Sequence, residues 1–205
     1  MENKIIVAGI GPGGEKFITP AALEKIQAAK FLLGGRRALA QFATNQETCA
    51  ITGDLDAAIN FIREKILIGE VVVMVSGDPG YYSLLDLLRK NFQSIEVIPS
   101  ISAMQLAFAR LALSWHSATL LSFHGRRPAD SDLKFAQGKI LGLLTDADFN
   151  SVTISKILLD CGWNENSNVA ICARLSYSDE KIIRTTLADA IKLEPVKHCI
   201  LIVGW

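Results

Sequence analysis

The sequence predicts an α/β protein built from two α/β subdomains. Short apolar runs alternate with helical patterns along most of the 205 residues, which is typical of mostly parallel sheets covered by helices. The alternation pauses at residues 113–117, where we place a boundary between an N-terminal domain (residues 1–113) and a C-terminal domain (residues 117–205). Glycine-rich turns follow two apolar runs in the first half, and open α/β sheets bind ligands at the carboxyl ends of their strands.

The first half predicts four strands and four helices. Thr19 can cap a helix whose first residue is Pro20, and Asp54 can cap a later one. The predicted strands are Ile5–Ile10, Phe31–Leu33, Val71–Val75 and Ile95–Ile98. The predicted helices are Pro20–Ala29, Asp54–Ile68, Tyr82–Lys90 and Ser102–Leu111.

The second half predicts five strands and three helices. The polar connection Tyr177–Glu180 lies between two short apolar runs and indicates an antiparallel hairpin. The predicted strands are Thr119–Phe123, Ile140–Leu144, Asn168–Ala173, Ile182–Thr185 and Cys199–Val203. The predicted helices are Asp132–Gln137, Val152–Leu159 and Leu187–Lys192.

Composition excludes several classes of function. Lysine and arginine balance aspartate and glutamate at 21 each, so the overall charge favours neither nucleic acid nor an anionic membrane as a partner. No apolar run approaches the length of a membrane span, and the start of the chain does not resemble a signal peptide, so we expect a cytoplasmic protein. The four cysteines lack metal-ligand spacing, so we expect reduced thiols and no metal site.

The glycine-rich start admits more than one interpretation. Gly9–Gly14 satisfies the dinucleotide pattern G-x-G-x-x-G after a strand, but that pattern needs a helix that begins at the glycines. Here the predicted helix begins only after Thr19, and Pro12 has no backbone N–H to donate from the loop. A dinucleotide site and a set of tight turns without a ligand therefore remain as alternatives to another small-molecule site.

The stretch Ser76–Ser83 is the most informative part of the chain. It follows the apolar run Val71–Val75 and places one carboxylate and two phenols, those of Asp78, Tyr81 and Tyr82, at a predicted strand end. Asp78 can serve a ligand there, or it can simply cap its own turn or the following helix.

Three motifs together resemble the signatures of the tetrapyrrole (corrin and porphyrin) methylases. Val7–Gly13 with Ile18–Pro20 resembles the opening signature, Ser76–Gly80 the second and Val97–Ala103 the third, although Ser100 stands where many relatives have glycine. The resemblance runs from Ile5 to the end of the chain. It implies an enzyme of two α/β domains that holds S-adenosylmethionine in the cleft between them and releases S-adenosylhomocysteine.

Further segments resemble one branch of that family. Leu32–Arg37, the Gly-Tyr-Tyr-Ser continuation of the second motif, and Leu121–Arg126 are similar to the branch that methylates carbon 5 of a corrin precursor, cobalt-precorrin-7, in cobalamin biosynthesis. In some members a carbon-15 methyltransferase and decarboxylase is fused to this domain. The resemblance is to the stand-alone form, so a separate carbon-15 enzyme is the expected functional partner.

The resemblance also implies which residues form the site. A carboxylate near a sulfonium can offset its charge, so Asp78 is a candidate for both catalysis and cofactor binding, and His124 is a candidate base. Arginines suit the acetate and propionate arms of an anionic ring, and tyrosine can stack on it. The cofactor-binding candidates are Gly11, Pro12, Gly13, Gly77, Asp78, Tyr81, Ser102, Ala103, Thr145, Asp146, Leu175 and His198. The substrate-binding candidates are Arg36, Arg37, Tyr82, Arg126 and Arg127.

Other functions remain open at this stage. Relatives of the same fold act on other ring carbons, on a protein side chain or on RNA, and a binding module without chemistry would keep the fold as well. The family resemblance implies a homodimer, which the apolar composition also favours.

Overall fold

The computed structural model describes residues 4–205; residues 1–3 of the predicted first domain lie outside the described part. The chain divides into two compact units, Met1–Ser102 and Ala103–Trp205. Each unit contains one five-stranded sheet, so the prediction of two α/β subdomains is confirmed.

The first unit is a parallel sheet with helices between its strands. Its strand order is β3-β2-β4-β1-β5, and every neighbouring pair is parallel. The strands are β1 (Ile5–Gly9), β2 (Phe31–Gly34), β3 (Glu47–Ala50), β4 (Val71–Val75) and β5 (Ile95–Ile98). The helices are α1 (Pro20–Ala28), α2 (Arg36–Phe42), α3 (Leu55–Lys65) and α4 (Leu85–Asn91), with a short 3-10 turn at Glu15–Phe17.

The sequence explains why the centre of this sheet forms. β1 and β4 are buried along their whole length, as expected of continuous apolar strands covered on both faces. The two predicted caps are confirmed, because Thr19 accepts a hydrogen bond from Ala22 N and Asp54 accepts one from Ala57 N. The first helix begins at Pro20, well after the glycines, as predicted.

Two elements of this unit, β3 and α2, were not predicted, and the predicted start of the fourth helix was too early. β3 is an edge strand whose first two residues, Glu47 and Thr48, are polar and exposed, so it lacks a continuous apolar run, and α2 is only seven residues long. The fourth helix begins at Leu85 rather than Tyr82, because Tyr82 adopts a left-handed conformation (φ 49°) that interrupts a right-handed helix.

The second unit has a mixed sheet of order β6-β7-β10-β8-β9. Only β6 and β7 are parallel, so the expectation of mostly parallel structure is wrong for this half. The hairpin prediction is confirmed, since β8 and β9 are antiparallel neighbours. The strands are β6 (Thr119–Ser122), β7 (Leu141–Leu144), β8 (Asn168–Ala173), β9 (Lys181–Thr186) and β10 (Ile200–Val203). The helices are α5 (Ala103–Leu111), α6 (Asp130–Leu133), α7 (Ser151–Asp160) and α8 (Leu187–Ala190).

Helix α5 lies in the second unit, whereas the sequence placed this segment before the boundary at residues 113–117. Its buried residues Met104 and Phe108 lie against β7 at Gly142, where even a β-carbon would come within 2.6 Å of the Met104 sulfur. Apolar burial against the second sheet therefore groups the helix with that unit.

Helix α6 spans Asp130–Leu133 and ends earlier than the predicted Asp132–Gln137, because Lys134 already has non-helical backbone angles (φ −55°, ψ 136°). Within residues 4–205, no helix has both the length and the apolar composition needed to cross a membrane.

Candidate functional site

The loops that follow β1 and β4 are joined to each other by main-chain hydrogen bonds. Gly77 N donates to Gly11 O at 2.7 Å, and Ile10 N donates to Val75 O at 3.0 Å. Gly11 and Gly77 both have φ 73°, in the left-handed region that glycine adopts without strain. The glycine motifs of the two strand ends are thus in direct contact with each other.

Gly9 occupies the most crowded point of this region. A β-carbon there would lie 2.7 Å from Ser100 Cβ, 2.8 Å from Gly77 O and 2.8 Å from Pro79 Cδ. These three neighbours come from the loops after β5 and β4, so only glycine lets the three strand ends approach this closely.

Asp78 braces two of these loops. Its Oδ1 accepts a hydrogen bond from Gly80 N at 2.8 Å, and its Oδ2 accepts one from Ser100 N at 3.0 Å. Oδ1 of Asp78 therefore caps the turn, which is one of the two roles considered from the sequence. Oδ2 links the β4 loop to the β5 loop. The carboxylate that the sequence offered as a catalytic or cofactor-binding group is held by main-chain donors on both sides.

Ser100 adds a further link that a glycine could not make. Its hydroxyl donates to Phe17 O at 3.2 Å, which connects the β5 loop to the turn that follows the glycine-rich start. Ser100 is absent from the residues with positive φ, so serine fits the turn without strain. The departure from the family pattern therefore strengthens the contact between loops.

The two tyrosines after this turn differ in environment. Their rings meet edge to face with centroids 4.9 Å apart, and Tyr82 is exposed with a left-handed backbone. The Tyr81 hydroxyl is buried and has no hydrogen-bond partner among residues 4–205, and burial raises the pKa of this phenol. Tyr81 therefore stays protonated and remains a hydrogen-bond donor.

The other predicted residues of the first unit lie at the same edge of its sheet. Arg36 and Arg37 open α2 directly after β2, and both are exposed. Pro12, Gly13 and Ser102 are buried. Ala103 begins α5, the first element of the second unit.

In the second unit, Thr145 and Asp146 follow β7 and are both buried. The Thr145 hydroxyl donates to Cys199 O at 2.9 Å and accepts from Cys199 N at 2.8 Å, so it ties the end of β7 to the start of β10. The side chain of Thr145 is thus engaged within the protein.

Asp146 accepts three main-chain hydrogen bonds. Its Oδ2 accepts from Gly125 N at 2.9 Å, and its Oδ1 accepts from Asp148 N at 2.9 Å and Phe149 N at 2.7 Å. These donors, led by Gly125, hold the pKa of the Asp146 carboxyl below its usual range, and the nearby His124 contributes to this lowering. Asp146 therefore fixes the loop after β6, which carries His124 and Arg126.

That loop presents its basic residues to solvent. His124, Arg126 and Arg127 are all exposed. Arg127 donates to Asp130 Oδ1 at 2.6 Å, whereas Arg126 makes no ion pair or side-chain hydrogen bond within residues 4–205. Arg126 is thus the more available of the two arginines for an anion.

Leu175 and His198 lie at the ends of loops near β8 and β10. Leu175 is buried and stands between two residues with left-handed backbones, Arg174 (φ 54°) and Ser176 (φ 76°). His198 is exposed and is itself left-handed, with φ 49°. The predicted residues of each unit thus gather near strand ends.

Several contacts escaped the sequence analysis. These contacts join loops that are distant in sequence, so no local sequence pattern predicts them. They are the hydrogen bond from Ser100 to Phe17 O, the hydrogen bond from Ser100 N to Asp78, and the pairing of Thr145 with Cys199. Within residues 4–205, no group of three or more His, Cys, Asp or Glu side chains is arranged to hold a metal ion.

Comparison with known proteins decides the family. The family model for Tetrapyrrole (Corrin/Porphyrin) Methylases matches residues 4–191, which is most of the chain. The chain belongs to the tetrapyrrole methylase family. The resemblance seen in the three sequence motifs is therefore confirmed, and the protein is a methyltransferase by family.

Among curated proteins, this tetrapyrrole methylase is similar to the cobalt-precorrin-7 C(5)-methyltransferase of Salmonella typhimurium. The two are 34% identical over 181 residues, which cover 87% of this chain and 88% of the relative. A solved structure of precorrin-6Y methylase from Archaeoglobus fulgidus is 25% identical, with a TM-score of 0.76 over 100% of this chain and 98% of that one.

A more distant structure confirms the fold. Uroporphyrin-III C-methyl transferase from Thermus thermophilus, complexed with S-adenosylhomocysteine, superposes with a TM-score of 0.78 at 19% identity and covers 98% of this chain and 92% of that one. S-adenosylhomocysteine is the ligand of that protein, and for this chain the superposition shows the fold.

Proposed function

We propose that this methylase transfers the methyl group of S-adenosylmethionine to carbon 5 of cobalt-precorrin-7 in cobalamin biosynthesis. The observation that carries the proposal is the 34% identity to the Salmonella enzyme, which extends over 87% of this chain and 88% of the relative. The Leu32–Arg37 and Leu121–Arg126 segments, together with the Gly-Tyr-Tyr-Ser turn, support carbon 5 over other positions.

The proposed cofactor site is largely main-chain. In the first unit it comprises the buried turns of Gly11, Pro12, Gly13 and Gly77, together with Asp78, Tyr81 and Ser102, and at the start of the second unit it includes Ala103. In the second unit it comprises Thr145, Asp146, Leu175 and His198. The side chains of Thr145 and Asp146 already bind backbone groups, so they act by holding the ends of β7 and the neighbouring loops in place.

The proposed chemistry needs no nucleophile from the protein. An electron-rich carbon of the ring attacks the methyl carbon in line with the sulfur; a carbon–carbon bond forms, the carbon–sulfur bond breaks, and its electron pair returns to sulfur. The rate then depends on alignment of the two reactants and on exclusion of water. Buried thiols fit this view, because burial raises the pKa of Cys172 to about 12 and of Cys199 to about 11, which keeps both protonated.

Proton removal and substrate binding involve the loop after β6 in this proposal. His124 is the proposed base that accepts the proton the ring loses, since its imidazole is exposed at the strand end. Arg126, Arg36 and Arg37 are proposed to bind the carboxylate arms, with Tyr82 against the ring face and Arg127 in a lesser role because it pairs with Asp130. We also propose that the protein forms a homodimer, that it works in the cytoplasm, and that a separate carbon-15 enzyme is its functional partner.

The decisive experiment locates the new methyl group. The protein is incubated with cobalt-precorrin-7 and S-adenosylmethionine carrying a ¹³C methyl, and the product is analysed by NMR. The proposal expects one labelled methyl bonded to carbon 5. A label on another ring carbon would assign the protein to a different branch of the family, and no transfer to cobalt-precorrin-7 would contradict the proposed substrate.

A further inference from the structure

The connection between β8 and β9, residues Arg174–Glu180, is held by more contacts than a surface hairpin requires. Arg174 Nε donates to Asp179 at 3.0 Å, and the Arg174 guanidinium lies 4.5 Å from the centre of the Tyr177 ring. Two main-chain hydrogen bonds close the turn, from Tyr177 N to Arg174 O and from Glu180 N to Tyr177 O, each 3.1 Å.

Within this connection the backbone is strained on both sides of Leu175. Arg174 and Ser176 are left-handed, and neither is glycine. Residues held in such conformations persist only where their surroundings enforce them, and they concentrate at functional sites. In residues 4–205 the other non-glycine residues of this kind are Tyr82, His198 and Ala112, and the first two belong to the proposed ligand site.

An ion pair holds the strained segment to helix α5. Arg110 donates to Glu180 through Nε at 2.6 Å and through a terminal nitrogen at 3.3 Å, which is the forked geometry that arginine forms with a carboxylate. The same carboxylate accepts a hydrogen bond from Ser176 N at 2.8 Å. Glu180 therefore fixes the backbone amide that follows Leu175.

The environment of this pair keeps it ionised. The side chains of Arg110 and Glu180 are 39% and 20% exposed, and the hydrogen bond from Arg110 holds the pKa of Glu180 below its usual range. An exposed ion pair contributes little to overall stability, so this one is better placed to select a local conformation than to hold the fold together.

We infer that Arg110 and Glu180 are positioning residues of the cofactor site, which hold Ser176 and thereby present the main chain of Leu175 to S-adenosylmethionine. The inference rests on the proposed function, because it takes Leu175 as a cofactor contact. Neither side chain needs to touch the ligand. The pair instead removes the freedom of the Arg174–Ser176 backbone, which would otherwise have to be ordered when the ligand binds.

The test compares S-adenosylhomocysteine affinity with stability in the full chain. For Glu180→Ala we expect the Kd for S-adenosylhomocysteine to rise about tenfold, as is typical of indirect coupling, with little change in the urea midpoint. Arg110→Ala should have a similar effect, and the double variant should be no worse than either single one, since the pair acts as a unit. Lys192→Ala is the matched control, because it removes an exposed ion pair, with Asp189, elsewhere in the same unit.

Two further readouts separate positioning from a general structural role. Glu180→Gln keeps an oxygen that can accept from Ser176 N but loses the charged fork, so it should recover part of the affinity lost in Glu180→Ala. Hydrogen exchange at the Ser176 amide should accelerate in Glu180→Ala, while the amides of β8 remain protected.

The outcomes distinguish this inference from the proposed function. Binding of S-adenosylhomocysteine to the unaltered protein, together with unchanged affinity in Glu180→Ala, would overturn the inference alone. A parallel loss of affinity in Lys192→Ala would overturn it as well, because the effect would then be general. Absence of binding to the unaltered protein would contradict the proposed cofactor site and the inference together.

Discussion

At the scale of single residues, the carboxylates of this protein organise loops. Asp78 and Asp146 each accept hydrogen bonds from main-chain amides of two different segments. The sequence indicated that both lie at strand ends near a ligand site. It could not reveal their partners, because Ser100 and Gly125 are brought to them by the tertiary fold and by no local pattern.

Replacement of Asp146 by asparagine should destabilise the protein in a pH-dependent way. The amide keeps one oxygen for three donors, so we expect a loss of about 1–3 kcal/mol in the free energy of unfolding at pH 7. The pKa of Asp146 is lower in the folded state than in the unfolded state. Its contribution to the free energy of unfolding is therefore complete at a pH above the unfolded-state pKa of about 4, and it is lost as the pH falls toward the folded-state pKa.

Urea unfolding of both proteins between pH 7 and pH 3 measures this difference. The gap between wild type and Asp146→Asn should be widest at neutral pH and should narrow below about pH 4. The Asp148→Asn variant is the control, because the Asp148 side chain is exposed. A gap that stays constant down to pH 3 would mean that the charge of Asp146 is not the cause.

Replacement of Arg126 and replacement of Arg127, both in the loop after β6, should change the KM for the tetrapyrrole to different extents. Arg126 has no ion-pair partner within residues 4–205, whereas Arg127 is paired with Asp130. Arg126→Ala should raise the KM for the tetrapyrrole about tenfold through loss of a carboxylate contact, with the affinity for S-adenosylhomocysteine unchanged. Arg127→Ala should change KM less. A loss of cofactor affinity in Arg126→Ala would place that arginine in the wrong part of the site.

At the scale of elements, buried apolar strands were predictable and edge elements were not. β1 and β4 read as continuous apolar runs, and their positions follow from the sequence within a residue. β3 carries polar residues at the sheet edge, and α5 joins the second unit through contacts with Gly142 that only the folded chain reveals. The residues of the candidate site were predicted from motifs, but the hydrogen bonds between their loops were not.

Gly9 tests how closely the strand ends must approach. A methyl group there meets three atoms of the loops after β4 and β5 at 2.7–2.8 Å, and one of them is the Gly77 carbonyl oxygen, which cannot move aside as a flexible side chain can. Gly9→Ala should therefore destabilise the protein by about 1–3 kcal/mol and weaken S-adenosylhomocysteine binding. Thermal unfolding and calorimetry measure the two effects.

Gly53→Ala is the matched control for that substitution. A β-carbon at Gly53 meets nothing within 4 Å, and its φ is not positive, so alanine should cost little there. If Gly9→Ala matched this control in both stability and affinity, the close approach of the three loops would have no role in the site.

At the scale of the whole molecule, two five-stranded units each contribute residues near their strand ends to one proposed function. The first unit follows the parallel pattern that the sequence predicts. The second has antiparallel strands at its centre, because β10 lies between β7 and β8 and runs opposite to both. Family membership supplies the class of reaction, and the choice of ring carbon rests on similarity over most of the chain.

The most direct test of the central claim is calorimetric titration of the full chain with S-adenosylhomocysteine, run beside NADP. The account predicts saturable binding of S-adenosylhomocysteine and no binding of NADP, because the first helix begins too far from the glycines to receive a pyrophosphate. Binding of NADP without S-adenosylhomocysteine would make the glycine-rich start a dinucleotide site and would contradict the methyltransferase account.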